Sequence, residues 1–287
     1  MLDNATTAAC SDTLAQVETA IALRAWLDAH RCVFVLTGAG ISTGSGIPDY
    51  RGPDGNWKRR APITYQAFMR DPAMRARYWA RSFVGWPVVE RAAPNRAHAA
   101  LVTLEARGRI AALVTQNVDG LHTRAGQRAV IDLHGRIDQV ICMQCATRVA
   151  RADIQQRLRA DNPAWTGLTA AKAPDGDADL ERCACDDFRA PVCAHCGGML
   201  KPDVVFFGEN VPHERVIDAQ LALAGADAML VVGSSLMVYS GFRFARMAHE
   251  RGIPLAILTR GITRADAIAN LKLDGDCEAV LAQAVAD

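Results

Sequence analysis

The chain has 287 residues, enough for about two domains at roughly 150 residues each. Its 50% apolar and 22% charged residues are the composition of an ordinary globular protein and exclude disorder over most of its length. With 32 Lys and Arg against 31 Asp and Glu, net +1, it lacks the overall basic field of a nucleic-acid or anionic-membrane binder, so neither is an expected partner.

No Lys or Arg precedes Arg24, so the start has neither the basic region of a secretory signal nor the Arg-rich face of a transit peptide. The most strongly apolar stretch, residues 228–238, is interrupted by Gly233, Ser234 and Ser235 and falls short of the ~20 residues that span a bilayer. A cytoplasmic location is expected. In such a reducing compartment nine cysteines, an odd number with two CxxC pairs, read as metal binding rather than a disulfide framework.

Leu14, Val17, Ile21 and Leu27 recur at helical spacing and predict an amphipathic helix over residues 12–30. Residues 31–37 (RCVFVLT) predict a buried parallel strand that ends at glycines. The turn that follows, from Gly38 through Ala39, Gly40 and Ser42 to Gly46, can bring backbone amides to a pyrophosphate, although Thr43 stands where a GxGxxG motif has its third glycine. A dehydrogenase would place a second strand ending in Asp or Glu about 20 residues on. Instead the chain runs IPDYRGPDGNWKRR, which suggests a flap over a dinucleotide.

Helices are predicted at residues 72–83 and 96–107, and a strand at 112–115 that ends in Gln116, Asn117, Val118 and Asp119. Strand ends are where open α/β sheets bind ligands. A further strand at 129–133 delivers His134; a lone histidine there is more often a structural hydrogen-bonder than a base. Cys142 and Cys145 then pair with Cys193 and Cys196 as two CxxC grips on one tetrahedral zinc. Four sulfur ligands leave no open position, so this zinc is structural. Cys183 and Cys185 read as surface thiols of the same insertion, Cys10 as a tail residue and Cys32 as a core residue.

Strands at 204–207, 228–232 and 255–258, with helices at 213–223 and 242–250, complete the alternation. The fold expected is α/β, a doubly wound Rossmann-like parallel sheet. Its nucleotide domain would comprise residues 1–43, 96–137 and 203–287, and residues 44–95 and 138–202 would form a smaller inserted domain with a helical module and a zinc ribbon.

Taken together, residues 38–51 (GAGISTGSGIPDYR), 116–119 (QNVD), 133–135 (LHG), the CxxC pairs, 201–209 (KPDVVFFGE) and 233–238 (GSSLMV) resemble the sirtuins in order and spacing. The resemblance covers residues 33–277. YWARSFVGWP at 78–87, APDGD at 173–177 and VVGSSLMVYSGFRF at 231–244 are similar to the class II branch.

The resemblance implies NAD-dependent removal of an acyl group from protein lysine, giving nicotinamide, free lysine and O-acyl-ADP-ribose. His134 matches the family's general base, Asn117 the residue that orients ribose or a water, Asp119 the holder of the carboxamide, and Gln116 a ribose contact. Ala39, Ser42, Arg51, Ser234 and Ser235 match phosphate-side positions, where Gly38, Gly40 and Gly233 let the backbone approach. Tyr50 replaces the family's usual Phe. Ile47, Asp49, Val118, Thr259, Arg260, Gly261 and Cys277 complete the expected NAD contacts, with Thr259 where the family has Asn against the adenosine ribose.

Val205, Phe206, Gly208 and Glu209 match one edge of the cleft for an acylated-lysine protein substrate, and residues 236–240 match the other. Tyr78 and Arg81, one helical turn apart, match a pair that binds the distal carboxylate of acidic acyl groups. Two competing functions use the same scaffold: protein ADP-ribosyl transfer, and a non-enzymatic sensor of NAD or its product, against which His134 and Asn117 argue.

Overall fold

The computed structural model describes residues 4–58, 62–168, 171–172, 178–179, 185 and 187–286. The first half contains α1 (Asn4–Ala29), β1 (Val33–Thr37), α2 (Tyr65–Arg70), α3 (Pro72–Arg91), α4 (Arg96–Ala106), β2 (Ile110–Thr115), α5 (Leu121–Ala125) and β3 (Val130–Asp132). The inserted segment adds β4 (Gly135–Cys142), β5 (Arg148–Ala150), α6 (Arg151–Asp161), β6 (Ala171–Lys172), β7 (Ala178–Asp179) and β8 (Leu200–Val204). The chain closes with α7 (His213–Ala224), β9 (Ala228–Val232), α8 (Tyr239–Glu250), β10 (Leu255–Leu258), β11 (Leu271–Leu273) and α9 (Cys277–Val285).

All five residues of β1 (VFVLT) are buried, as are all of β9 (AMLVV) and β10 (LAIL), because a parallel strand covered by helices on both faces has no wet side. These strands form a six-stranded parallel sheet in the order β11-β10-β9-β1-β2-β3. The two-residue period of each strand divides its side chains between two cores. Val33, Val35, Leu230 and Leu258 pack with Leu23, Leu101 and Leu281 of α1, α4 and α9. Phe34, Leu36, Val231 and Ile257 pack on the other face with Leu223 of α7 and Phe244 of α8.

Chain order moves outward from β1 in both directions, so the switch point lies between β1 and β9. There the loops after the two strands abut. The Gly40 amide donates to the Gly233 carbonyl at 2.8 Å, and a Cβ on Gly38 or Gly40 would come within 3.0 Å of residues 233–234. This crevice is the ligand position expected of a doubly wound sheet.

A third core joins residues of the two insertions: Phe68, Trp79, Phe83 and Trp86 of α2 and α3 pack with Ile154, Leu158 and Trp165, and with Val140 and Leu200 of the small antiparallel sheet β5-β4-β8. Asp71 starts α3 by accepting from the Ala73 amide at 2.8 Å, with Pro72 in the first turn where a missing N–H costs nothing.

Several expectations need correction. Residues 204–207 do not add a strand to the parallel sheet: Leu200–Val204 is the antiparallel partner of β4, and the apolar run that follows leaves it as an extended segment, with the Val205 amide bound to the His134 carbonyl at 2.8 Å. The first helix begins at Asn4 rather than residue 12, and α3 continues through Pro87 to Arg91 rather than ending at 83. Both β11 and α9 escaped the pattern reading.

Cys185 is no surface thiol; it is buried in the third core beside Phe188. Cys32 is half-buried rather than in the core, its thiol directed to the Gly225 carbonyl. Cys183, the APDGD stretch, Arg59 and Arg60 lie outside the described residues, as does the side chain of Cys10.

Candidate functional site

One cavity of about 660 Å³ runs from the β1–β9 crevice to α3 and the small sheet. Every residue expected to contact cofactor, substrate or the reacting atoms lines it except Gly261 and Arg81. Gly261 instead packs on Pro53, whose carbonyl a Cβ there would overlap, so it supports the 49–57 loop from behind. Arg81 is half-buried on α3, off the cavity wall formed by Tyr78 and Ser82.

His134 follows β3. Its Nδ1 lies 2.8 Å from the Gln116 carbonyl and its Nε2 2.9 Å from the Ser240 hydroxyl. A carbonyl can only accept, so Nδ1 carries the proton and Nε2 presents its lone pair, to which Ser240 donates. Burial pushes the imidazole below its ordinary value, reinforced by Arg215 and Arg243 and opposed by the Gln116 hydrogen bond. The ring is therefore neutral at pH 7, with the Nε2 lone pair directed at the Ser240 hydroxyl. Ser240 was not singled out in the sequence; it stands 106 positions from His134, and no local pattern announces the pairing.

The loop after β2 carries a second group of polar side chains. Asn117, only 9% exposed, donates through Nδ2 to the Gly38 carbonyl and to Ser42 Oγ, each at 3.1 Å. Ser42 in turn donates to Asp119 at 2.8 Å, and Asp119 also accepts from the Leu121 amide at 2.8 Å at the start of α5. Ser234 Oγ donates to Gln116 Oε1 at 2.6 Å. The amide and carboxylate groups are thereby tied to the two glycine turns. Asn95, the cap of α4, donates to the Ile41 carbonyl at 2.8 Å and holds the same turn from behind.

The 47–58 loop folds over this group with Ile47 buried. Asp49 pairs with Lys58, Arg51 stacks 4.1 Å from the Trp57 ring, and Tyr50 meets Trp57 and Phe207 edge-on. At the opposite end Thr259 is 7% exposed with its amide bound to Leu273, and Arg260 pairs with Asp276 at 3.2 Å. Burial pushes the Cys277 thiol up to about 12, so it lines the cavity as a neutral group.

Along the other edge, Lys201 supports the 204–209 segment. Its ammonium binds the Val204 carbonyl and Glu209 at 3.0 Å, and Glu209 accepts from the Phe206 amide at 2.8 Å. Lys201 opens the 201–209 motif noted in the sequence, but its support of this segment was not expected there.

Cys142, Cys145, Cys193 and Cys196 bring their four sulfurs within 4.8 Å of one another, with 3.5 Å between Cys142 and Cys196 and 3.8 Å between Cys145 and Cys193. A tetrahedral zinc with Zn–S bonds of about 2.3 Å sets its sulfurs roughly 3.8 Å apart, so the cluster fits that ion. None of the four lines the cavity, and a four-thiolate shell has no open position, so zinc here braces the small sheet and stays out of the chemistry.

Comparison with known proteins agrees with this geometry. The model of the Sir2 family matches residues 38–240. An NAD-dependent protein deacetylase of Xanthomonas campestris pv. campestris (strain 8004) is 57% identical over 270 residues, 94% of this chain and 92% of that protein. NAD-dependent protein deacetylase 2 of Bradyrhizobium diazoefficiens is 57% identical over 253 residues, covering 88% of this chain and 93% of its own. Among solved structures, a Sir2 complex with p53 peptide and NAD+ superposes with a TM-score of 0.69 at 33% identity, covering 89% of this chain and 92% of that one. A glycine-lined crevice, a neutral half-buried histidine and a four-cysteine clamp thus coincide with sequence identity across nearly the whole length, and the chain belongs to the Sir2 family.

Proposed function

We propose that this chain is an NAD-dependent protein-lysine deacylase, transferring the acyl group of a modified lysine to ADP-ribose and releasing nicotinamide. The observation that carries the reading is a histidine fixed with its Nε2 lone pair toward the same cavity that holds the Gly38–Gly233 crevice and the Asn117–Ser42–Asp119 chain. The glycines make room for a pyrophosphate, and NAD supplies, when bound, a ribose carbon activated by its nicotinamide leaving group.

The protein's own residues then act around that carbon. Asn117 and Asp119 order the nicotinamide end through Ser42. Gln116 and Ser234 hold the ribose side, and Ser235 and Arg51 stand at the phosphates. His134 accepts a proton from a sugar hydroxyl at Nε2 while its Nδ1–H bond to Gln116 steadies the cation that forms. Tyr50, with Trp57 and Phe207, closes the site against water. The segment Val205, Phe206, Gly208 and Glu209 offers one backbone edge to an extended peptide, and residues 236–240 the other.

Residues 1–43, 96–137 and 203–287 serve as the nucleotide domain in this reading, and the insertions as the small domain, supported by the separate cores. No helix among the described residues is long and apolar enough to cross a membrane. Free thiolates for zinc favour a reducing compartment, and we place the protein in the cytoplasm.

The test is a mass-spectrometric survey of acyl-lysine peptides incubated with protein and NAD. Acyl-dependent nicotinamide release with an ADP-ribose-borne acyl group is expected. ADP-ribose attached to protein, formed without any acylated peptide, would replace this reading with the transferase one.

A further inference from the structure

Among the described residues four Lys and Arg side chains line the cavity, and three of them are engaged. Arg51 donates to the Gly55 carbonyl at 2.8 Å and stacks on Trp57, Lys58 pairs with Asp49, and Arg260 pairs with Asp276 at 3.2 Å. Arg243 has neither a hydrogen bond nor an ion pair among the described residues, and its Nε is buried without a partner. The other carboxylates that line the cavity are committed elsewhere: Asp119 accepts from Ser42 and the Leu121 amide, and Glu209 from Lys201 and the Phe206 amide. A half-buried guanidinium in this position lacks the anion that would offset its desolvation.

Its place in the fold says where that anion comes from. Arg243 lies on α8 one turn beyond Ser240, whose hydroxyl meets His134 Nε2 at 2.9 Å, and it is near enough to His134 to oppose protonation of the imidazole. Gly241, between the two, packs on the Gln116 side chain, where a Cβ would come within 2.5 Å of the amide nitrogen, so this turn is held hard against the loop after β2. Tyr239, at the start of the same turn, sits among three guanidiniums: Arg243, Arg246 and Arg264 lie 5.2, 5.5 and 5.9 Å from its ring. Arg246 donates to the Tyr239 hydroxyl at 2.8 Å and pairs with Glu250 at 3.4 Å, which is the one carboxylate paired with the three among the described residues. The crowding of like charges leaves a positive field along this end of α8, which an arriving anion relieves. Residues 236–240, the peptide edge in the reading above, run directly into this helix.

We infer that Arg243, in the field of Arg246 and Arg264, selects substrates whose acylated lysine is flanked by Asp or Glu. This rests on the deacylase reading and deepens it to a substrate class. A guanidinium fork pairs both oxygens of one carboxylate, whereas a flanking Lys or Arg is repelled. The selection acts on the peptide sequence and not on the acyl group.

The experiment uses acetyl-lysine peptides that carry a single Glu or Lys at each of the three positions on either side of the modified lysine, compared by kcat/KM at saturating NAD. At one or more positions the native protein is expected to prefer Glu over Lys on the order of tenfold, the scale of one charge-assisted pair. Arg243→Gln brings that ratio close to one, and Arg243→Glu inverts it in favour of Lys. Because each ratio is taken within one variant, any change at His134 affects both peptides alike and cancels. Arg246→Gln, whose side chain is already paired with Glu250, keeps most of the preference, and the KM for NAD in Arg243→Gln stays within about twofold of native. Thermal melts establish that the variants fold, and Arg243→Gln decides the matter if Arg243→Glu does not. No Glu preference at any position, a ratio unchanged in Arg243→Gln, or an equal loss in Arg246→Gln overturns the proposal while leaving acetyl-lysine turnover intact. Absence of turnover on every acetyl-lysine peptide overturns it through the deacylase reading instead.

Discussion

In the proposed reaction His134 is the base: the Gln116 carbonyl fixes its proton on Nδ1, which leaves the Nε2 lone pair, met here by the Ser240 hydroxyl, to accept another. His134→Ala should lower deacylation by roughly 10²–10⁴ while NAD binding changes by less than about threefold, because a general base acts on the transition state and little on the ground state. Near-native turnover at saturating NAD and peptide would remove the assignment. The depressed imidazole also sets the pH profile: kcat/KM should hold down to pH 6.5, the ordinary value, and fall only below it, since protonation removes the lone pair. An acidic limb centred at or above 6.5 would contradict the buried environment. His134, Asn117 and the glycine turns were legible because each sits next to a strand end in a short motif. Ser240 was not, because it meets its partner across a long sequence separation, where only the fold supplies proximity.

Among the elements, the small antiparallel sheet depends on a metal more than on its strands. β5 has three residues, none buried, and β4 and β8 share a third core with residues next to the cysteine clamp. Replacing Cys142 by Ser should drop bound zinc from about one equivalent to below about a tenth and loosen this sheet, since a structural zinc site is folded only when filled. Elemental analysis and hydrogen exchange over residues 135–204 check both halves. Full zinc content in the variant would show that three sulfurs suffice. The clamp was readable from spacing alone, whereas residues 204–207 misled the reading: a run of VVFF has the composition of a buried strand, but its backbone pairs with the His134 carbonyl, Glu209 and, by one isolated bridge, Thr64 instead of a strand of the large sheet.

For the whole molecule, two histidines behind the nucleotide crevice make stability depend on acid. His98 of α4 and His122 of α5 stack at 4.8 Å, and burial lowers them to about 4 and about 3; His98 Nε2 and His122 Nδ1 have no partner. The unfolded chain takes up these protons as pH falls through 6.5 and the folded chain does not, so their contribution is complete above 6.5 and lost progressively below it. The slope is at most about 1.4 kcal/mol per pH unit for each ring. Asp132, raised to about 6 by burial, works the other way over the interval between that value and its ordinary 3.8, but one carboxyl does not offset two imidazoles. Tm should therefore fall between pH 7.5 and 5, and less steeply in His98→Gln; a flat Tm over that range would contradict it. The parallel sheet was legible from its apolar runs, yet β11 and α9 were not: the strand has only three residues, and the helix only nine, although its Asp276 cap and the spacing of Val280, Leu281, Ala284 and Val285 are the signal that would have found it.

The central claim is that one cavity joins NAD to an acylated lysine, and the most direct measurement follows nicotinamide release with and without acyl-lysine peptide while mass spectrometry tracks the acyl group. Nicotinamide, free lysine and O-acyl-ADP-ribose should appear in equal amounts and only when both NAD and the acylated peptide are present. Nicotinamide released at the same rate without peptide, or an acyl group appearing as the free acid with no ADP-ribose attached, would contradict the account.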